Sequence, residues 1–190
     1  MQIIFVCSGN TCRSPLALCA WQLATREICK RHASASLIFS RIKAHSAGLC
    51  ASPGATATRF ARLVAKEWGT DLENHRAAMF RPVQADSELI IAMTGDQAAI
   101  VRAHFSPRED QVRLLSSYAP RHEKIAEAAR FGPMWGDASD VWSTQGDEEP
   151  DILDPYGESL EAYQACGEQI RRCVSELART LAKIDTKPEA

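Results

Sequence analysis

No run of apolar residues in this chain approaches the length that crosses a bilayer. The opening Met1-Gln2-Ile3-Ile4-Phe5-Val6 also lacks the basic flank and small-residue cleavage site of a secretory leader. A cytoplasmic protein is therefore expected. An excess of one charge is missing too: 22 Lys and Arg stand against 24 Asp and Glu. So near a balance gives no general attraction to nucleic acid or an anionic membrane, and any affinity for anions has to be local. The short paired spacings of a zinc site are lacking, since Cys7, Cys12, Cys19 and Cys29 are irregularly placed and His32 alone does not repair that. No lysine follows the glycine-containing segment near the N-terminus, which excludes a Walker-type nucleotide loop. Seven cysteines, an odd number scattered over 190 residues, do not make a secreted disulfide framework. Internal repeats are absent as well.

What is present is an alternation of short apolar runs and longer helix-like stretches. Gln2 to Val6 is a nearly continuous run rich in Ile and Val, as in a strand buried on both faces of a parallel sheet. Lys43 to Ser46, Glu88 to Met93 and Gln111 to Leu115 are further strands, each bounded by polar or turn-forming residues. Helices are expected over Pro15 to about Arg31, Gly54 to Trp68, Asp96 to Phe105 and Ser159 to Lys183. In the last of these, Leu160, Tyr163, Ile170, Val174, Leu177 and Leu181 give one apolar face to pack on the sheet. The pattern predicts an α/β fold in one domain over 1–184, long enough to bury a core without metal or disulfide support. Residues 119–150, rich in Gly and Pro around a short helix at Glu123 to Phe131, read as a surface insertion, and 185–190 as a flexible tail.

Chemistry concentrates where the first strand ends. Ligands of an open α/β sheet bind beyond the carboxyl ends of the strands, and Cys7 follows the first strand directly. Gly9 and Asn10 tolerate the backbone angles that curl successive N–H groups around an anion, and Pro15 suits the first turn of the next helix. The curl and the helix N-terminus favour a bound phosphate and a thiolate nucleophile. Arg13 adds a planar fork matched to two phosphate oxygens. Ser14 has two roles open to it, donor to the sulfur or ordinary helix-start hydroxyl.

The string Val6-Cys7-Ser8-Gly9-Asn10-Thr11-Cys12-Arg13-Ser14-Pro15 resembles the signature loop of the low-molecular-weight protein tyrosine phosphatases. The resemblance continues through Ser46-Ala47-Gly48, His75-Arg76, Ile91-Ala92-Met93-Thr94 and Asp154-Pro155-Tyr156-Gly157 followed by Tyr163. It departs in a long stretch before Lys43 and in the 119–150 insertion. The likeness implies a three-layer sandwich with a four-stranded parallel sheet flanked by helices. It implies Cys7, Arg13 and Asp154 as catalytic residues, and Ser8, Gly9, Asn10, Thr11, Cys12 and Arg13 as the phosphate-binding loop. Ser14 and His75 would support that loop, His75 through Asn10; on its own, a surface or helix-end histidine is the commoner reading.

The reaction needs an acid to protonate the departing group, and Asp154 is the best-placed candidate. Pro155 restricts it to extended backbone, although a plain Asp-Pro turn looks the same in sequence. A cysteinyl phosphate would form on Cys7 and be hydrolysed without metal or cofactor. The implied partners are a phosphorylated protein and inorganic phosphate, as product and inhibitor.

Thr11 bears on which phosphorylated residue is cleaved. Tyrosine-directed relatives usually carry Ile or Leu there, and the protein arginine phosphatase branch resembles this chain in carrying Thr. Phosphoarginine is thus favoured, with phosphotyrosine the alternative. Tyr156 fits either, since an aromatic wall stacks on phenol or on guanidinium. A non-catalytic phosphoprotein-binding module stands against the presence of the whole catalytic set. Arsenate reduction would need more cysteines near the third strand, and residues 51–165 contain none. Cys166 and Cys173 lie about 10 Å apart along a helix, too far for a disulfide, and read as inert buried thiols. Cys19, Cys29 and Cys50 are given the same reading. Cys12 has two readings, a reversible disulfide partner for Cys7 as in relatives, or a small buried residue of the loop floor.

Overall fold

The computed structural model describes residues 1–82, 84, 87–119 and 151–183. The apolar run after Met1 forms β1 (Gln2–Cys7), buried from Ile3 onward. Successive side chains of a strand point to opposite faces, so Ile3 and Phe5 enter one core while Ile4 and Val6 enter another. β1 is paired in parallel on both sides, with β2 (Lys43–Gly48) and with β3 (Leu89–Ala92), and β3 pairs in parallel with β4 (Val112–Leu114). The strand order is β2-β1-β3-β4. All four strands are parallel, so their carboxyl ends lie along one edge, with the order of connection reversing beside β1. That reversal opens a crevice at Cys7.

The helices are α1 (Arg13–Arg31), α2 (Ala35–Phe39), α3 (Arg59–Glu67), α4 (Gly95–Phe105) and α5 (Leu160–Ala182). α1, α3 and α5 cover the face that carries Ile3, Phe5 and Ile91. α4 covers the opposite face, setting Ala98 and Val101 against Ile4, Val6, Ile90 and Val112. The result is the expected three-layer α/β sandwich around a four-stranded parallel sheet. On α5 the apolar face is buried at Tyr163, Ile170, Val174 and Leu177, with Leu160 and Leu181 half-buried at its ends.

Three local expectations are corrected. α3 begins at Arg59 rather than Gly54. Gly54 has a left-handed backbone (φ +87°), and the segment after it is bound to the Cys7 loop through Thr58 N to Thr11 O at 3.0 Å. Thr58 then caps the helix by accepting a bond from Ala61 N. α2 is unforeseen, one short turn of helix with Leu37 largely exposed and so no apolar periodicity to read. Cys50 is exposed rather than buried. Cys19, Cys166 and Cys173 are buried as expected, and burial pushes the Cys19 thiol up to about 11 and the Cys166 thiol up to about 12, so both stay protonated at neutral pH. The 119–150 insertion, beyond Ala119 itself, and the tail lie outside the described residues.

Candidate active site

Cys7 ends β1 and is almost wholly buried, with Ser14 Oγ 3.0 Å from its sulfur and the Asn10 N–H directed at it from 3.3 Å. Of the two residues expected to take unusual backbone angles, Asn10 alone is left-handed (φ +53°) and Gly9 is not. Asparagine tolerates this region because its short amide bonds nearby groups. Here Asn10 Nδ2 donates to Ser14 Oγ (2.9 Å) and Ser46 Oγ (3.0 Å), and Oδ1 accepts from Ala78 N (2.9 Å). Both polar atoms of the side chain are thus spent, in three hydrogen bonds, on holding the curl, which is why a buried asparagine is tolerated there. His75 supports the same residue by another route, its Nε2 lying 2.7 Å from the Asn10 carbonyl oxygen.

The loop is also clamped by the end of β2. Leu49 N donates to Cys7 O and Cys50 N to Ser8 O, both at 2.9 Å. Gly48 makes that approach possible. A Cβ there would lie 2.6 Å from Ser8 O and 2.8 Å from Asn10 N, both backbone atoms that cannot yield. Gly48→Ala is therefore expected to destabilise the fold by about 1–3 kcal/mol, the range of overpacking. Thermal unfolding of the variant beside wild type checks the effect.

Arg13 is the first residue of α1 and its side chain is buried. Nη1 donates to Ile152 O at 2.9 Å and Nη2 is paired with the Asp154 carboxylate. Its Nε is buried and has no partner among the described residues. An unpaired guanidinium N–H costs free energy unless an acceptor arrives, so the group is poised for an anion. The Asp154 segment is tied to the sheet edge by Ile152 N to Met93 O (2.8 Å) and Gly95 N to Asp151 Oδ1 (2.7 Å). Asp154 itself accepts from Tyr156 N at 3.2 Å, a local turn that leaves the Tyr156 ring largely exposed.

These residues meet in one cleft of about 670 Å³. It is lined by Cys7, Ser8, Gly9, Thr11, Cys12, Arg13, Asp154 and Tyr156, with Cys50, Ser52, Ala55, Thr56 and Thr58 forming the rest of the wall. Asn10, Ser14 and His75 lie behind it as supports. Cys12 is buried at the start of α1, its sulfur 3.2 Å from Tyr163 OH and 3.5 Å from Thr58 Oγ1. Burial and the Cys12 contact drive the Tyr163 hydroxyl strongly upward, so it stays protonated. Sequence reasoning missed Gln97, whose Nε2 donates to Ser8 Oγ at 3.1 Å, and it missed the roles of Ser46 and Thr58. Ser46 carried a faint signal, as the first residue of Ser46-Ala47-Gly48. Gln97 carried none.

The model of the family described as low molecular weight phosphotyrosine protein phosphatase matches residues 2–129. The chain belongs to that family. Among similar proteins, a protein-arginine-phosphatase of Bacillus subtilis (strain 168) is 27% identical over 183 residues, covering 96% of this chain and 98% of the relative. The low molecular weight protein-tyrosine-phosphatase PtpB of Staphylococcus aureus is 23% identical over 177 residues, covering 93% of this chain and 96% of its own. Among solved structures, the YwlE arginine phosphatase with a phosphorylated active-site serine superposes with a TM-score of 0.68 at 27% identity, covering 96% of this chain and 97% of that one.

Proposed function

We propose that this chain is a cysteine-dependent protein phosphatase, its catalytic domain spanning residues 1–184, with phosphoarginine favoured over phosphotyrosine. The observation that carries the reading is the buried Arg13, its Nε unpartnered beside the Cys7 loop and its Nη2 on Asp154. Cys7 Sγ attacks phosphorus in line, with the loop N–H groups and Arg13 holding the three equatorial oxygens. The entering phosphoryl group displaces the Asp154 carboxylate from Arg13, and once freed it takes a proton from solvent and delivers it to the departing nitrogen or oxygen. Water, giving its proton to Asp154, then attacks the cysteinyl phosphate, releasing inorganic phosphate and the thiolate. A cytoplasmic location accords with this chemistry, which needs a reduced Cys7.

The preference for phosphoarginine is supported by the cleft walls. Thr11 places a hydroxyl where a larger apolar side chain would favour an aromatic group, and Cys50, Ser52, Ala55 and Thr56, which line the same cleft, are small. Among the described residues, Tyr156 is the one aromatic side chain that lines the cleft. Phosphoarginine and phosphotyrosine peptides assayed with wild type and Thr11→Ile test the reading. Wild type is expected to prefer phosphoarginine, and the variant to shift about tenfold or more toward phosphotyrosine. A wild-type preference for phosphotyrosine that the variant leaves unchanged removes the Thr11 argument.

A further inference from the structure

Gln97 stands in the first turn of α4, on the far side of the sheet edge from α1, yet it reaches Ser8, which lines the cleft. Its side chain is buried, 5% exposed, and its amide orientation is settled by its partners. Oε1 accepts from Met93 N at 3.1 Å, and since that N–H can only donate, the other end of the amide must be Nε2. Nε2 donates to Ser8 Oγ at 3.1 Å. Ser8 Oγ is therefore an acceptor on its buried side, which leaves it one lone pair and its own proton. Among the described residues it has no other partner. Ser8 is exposed where Cys7 beside it is 3% exposed, so Ser8 stands at the rim of the cleft and Cys7 at the floor.

In an in-line displacement the departing group lies opposite the attacking sulfur, toward the mouth. We infer that Ser8, held by Gln97, is a specificity-determining residue that contacts the leaving group rather than the phosphoryl oxygens. Its free lone pair accepts an N–H of a guanidinium leaving group. Gln97 is a positioning residue, since it acts only through Ser8. An aryl phosphate ester offers no N–H at this place, so the contact separates the two substrate classes. This assignment rests on the phosphoarginine reading above and names a second residue, beside Thr11, that enforces it.

The test compares kcat/KM for a phosphoarginine peptide and for p-nitrophenyl phosphate in Ser8→Ala, Gln97→Met, the double variant and Ser8→Thr. Ser8→Ala and Gln97→Met are each expected to lower the ratio of peptide to ester kcat/KM about tenfold, the worth of one hydrogen bond to a charged group. The double variant should be no worse than either single one, because one contact is being removed by two routes. Ser8→Thr, which keeps the hydroxyl, should retain the wild-type ratio. An unchanged ratio in Ser8→Ala overturns the inference, as do equal losses on both substrates, which would put Ser8 on the phosphate. Gln97 also holds Met93, so its variant is checked by thermal unfolding; where it does not fold, the Ser8 variants decide alone. Wild type that cleaves the ester but not the peptide refutes the phosphoarginine reading itself, and the inference falls with it.

Discussion

Cys7→Ser is expected to abolish turnover, with a loss of at least about a thousandfold on any phosphorylated substrate, while the variant still folds and still binds phosphate. The two halves of this expectation come from different parts of the site. Turnover needs a nucleophile that ionises near neutral pH, which a thiol does and an alcohol does not. On the proposed reading phosphate is bound by the loop backbone and Arg13, and neither depends on the sulfur. The curl is held by Asn10, through Ser14, Ser46 and Ala78, and by the end of β2, through Leu49 and Cys50. Serine is close in size to cysteine, so the Ser14 hydroxyl keeps a partner where it now faces sulfur at 3.0 Å. Steady-state kinetics and a phosphate titration by calorimetry make the measurement. Full activity in the variant would remove Cys7 from the mechanism.

Asp154→Asn is expected to cost about 10²–10⁴ in kcat on phosphoarginine peptides, the usual range for removing a general acid. The loss on p-nitrophenyl phosphate should be smaller, because p-nitrophenolate departs readily without a proton. Phosphate should bind the variant at least as tightly as it binds wild type. The Asp154 carboxylate occupies Arg13 Nη2 and so competes with an incoming anion, whereas a neutral amide competes less. A purely structural role for Asp154 predicts a different pattern, with equal losses on both substrates and weaker phosphate binding. Stopped assays on the two substrates, with phosphate inhibition constants for both proteins, distinguish the two patterns.

The parts of this site that were readable in the sequence are those whose chemistry is contiguous. Cys7 through Pro15 is an unbroken string that follows a strand, and a nucleophile, a tight curl and an arginine can be recognised in it without knowing the sheet. Asp154 is far away in the chain but marks itself through Asp154-Pro155-Tyr156-Gly157 and the family likeness. Sheet register hid the rest. Ser46 reaches Asn10 because Phe5 and Ser46 are paired across β1 and β2, and nothing in the local sequence of either strand states that pairing. Gln97 reaches Ser8 because β3 lies beside β1 and delivers the start of α4 to the same edge. Cys50 was misread for the same reason: it follows β2 in a segment that continues to bond along the loop, which leaves its side chain in the cleft wall rather than in the core. The early start assigned to α3 failed on tertiary grounds too, since Gly54 and Ala55 are bonded to Ala77 and Thr58 to Thr11. At the level of layers the reading was sound because it rested on burial. Two-sided apolar strands and a one-faced helix specify a covered parallel sheet whatever the register.

The central claim is that phosphorus passes through Cys7. Wild-type enzyme mixed with phosphoarginine peptide, quenched in the first turnover and digested for mass spectrometry under conditions that preserve thiophosphate esters, tests it most directly. The account predicts phosphate on the sulfur of Cys7, appearing with the first dephosphorylated peptide and decaying as inorganic phosphate is released. Dephosphorylated peptide and free phosphate forming together, with Cys7 unmodified at every time point, would contradict it.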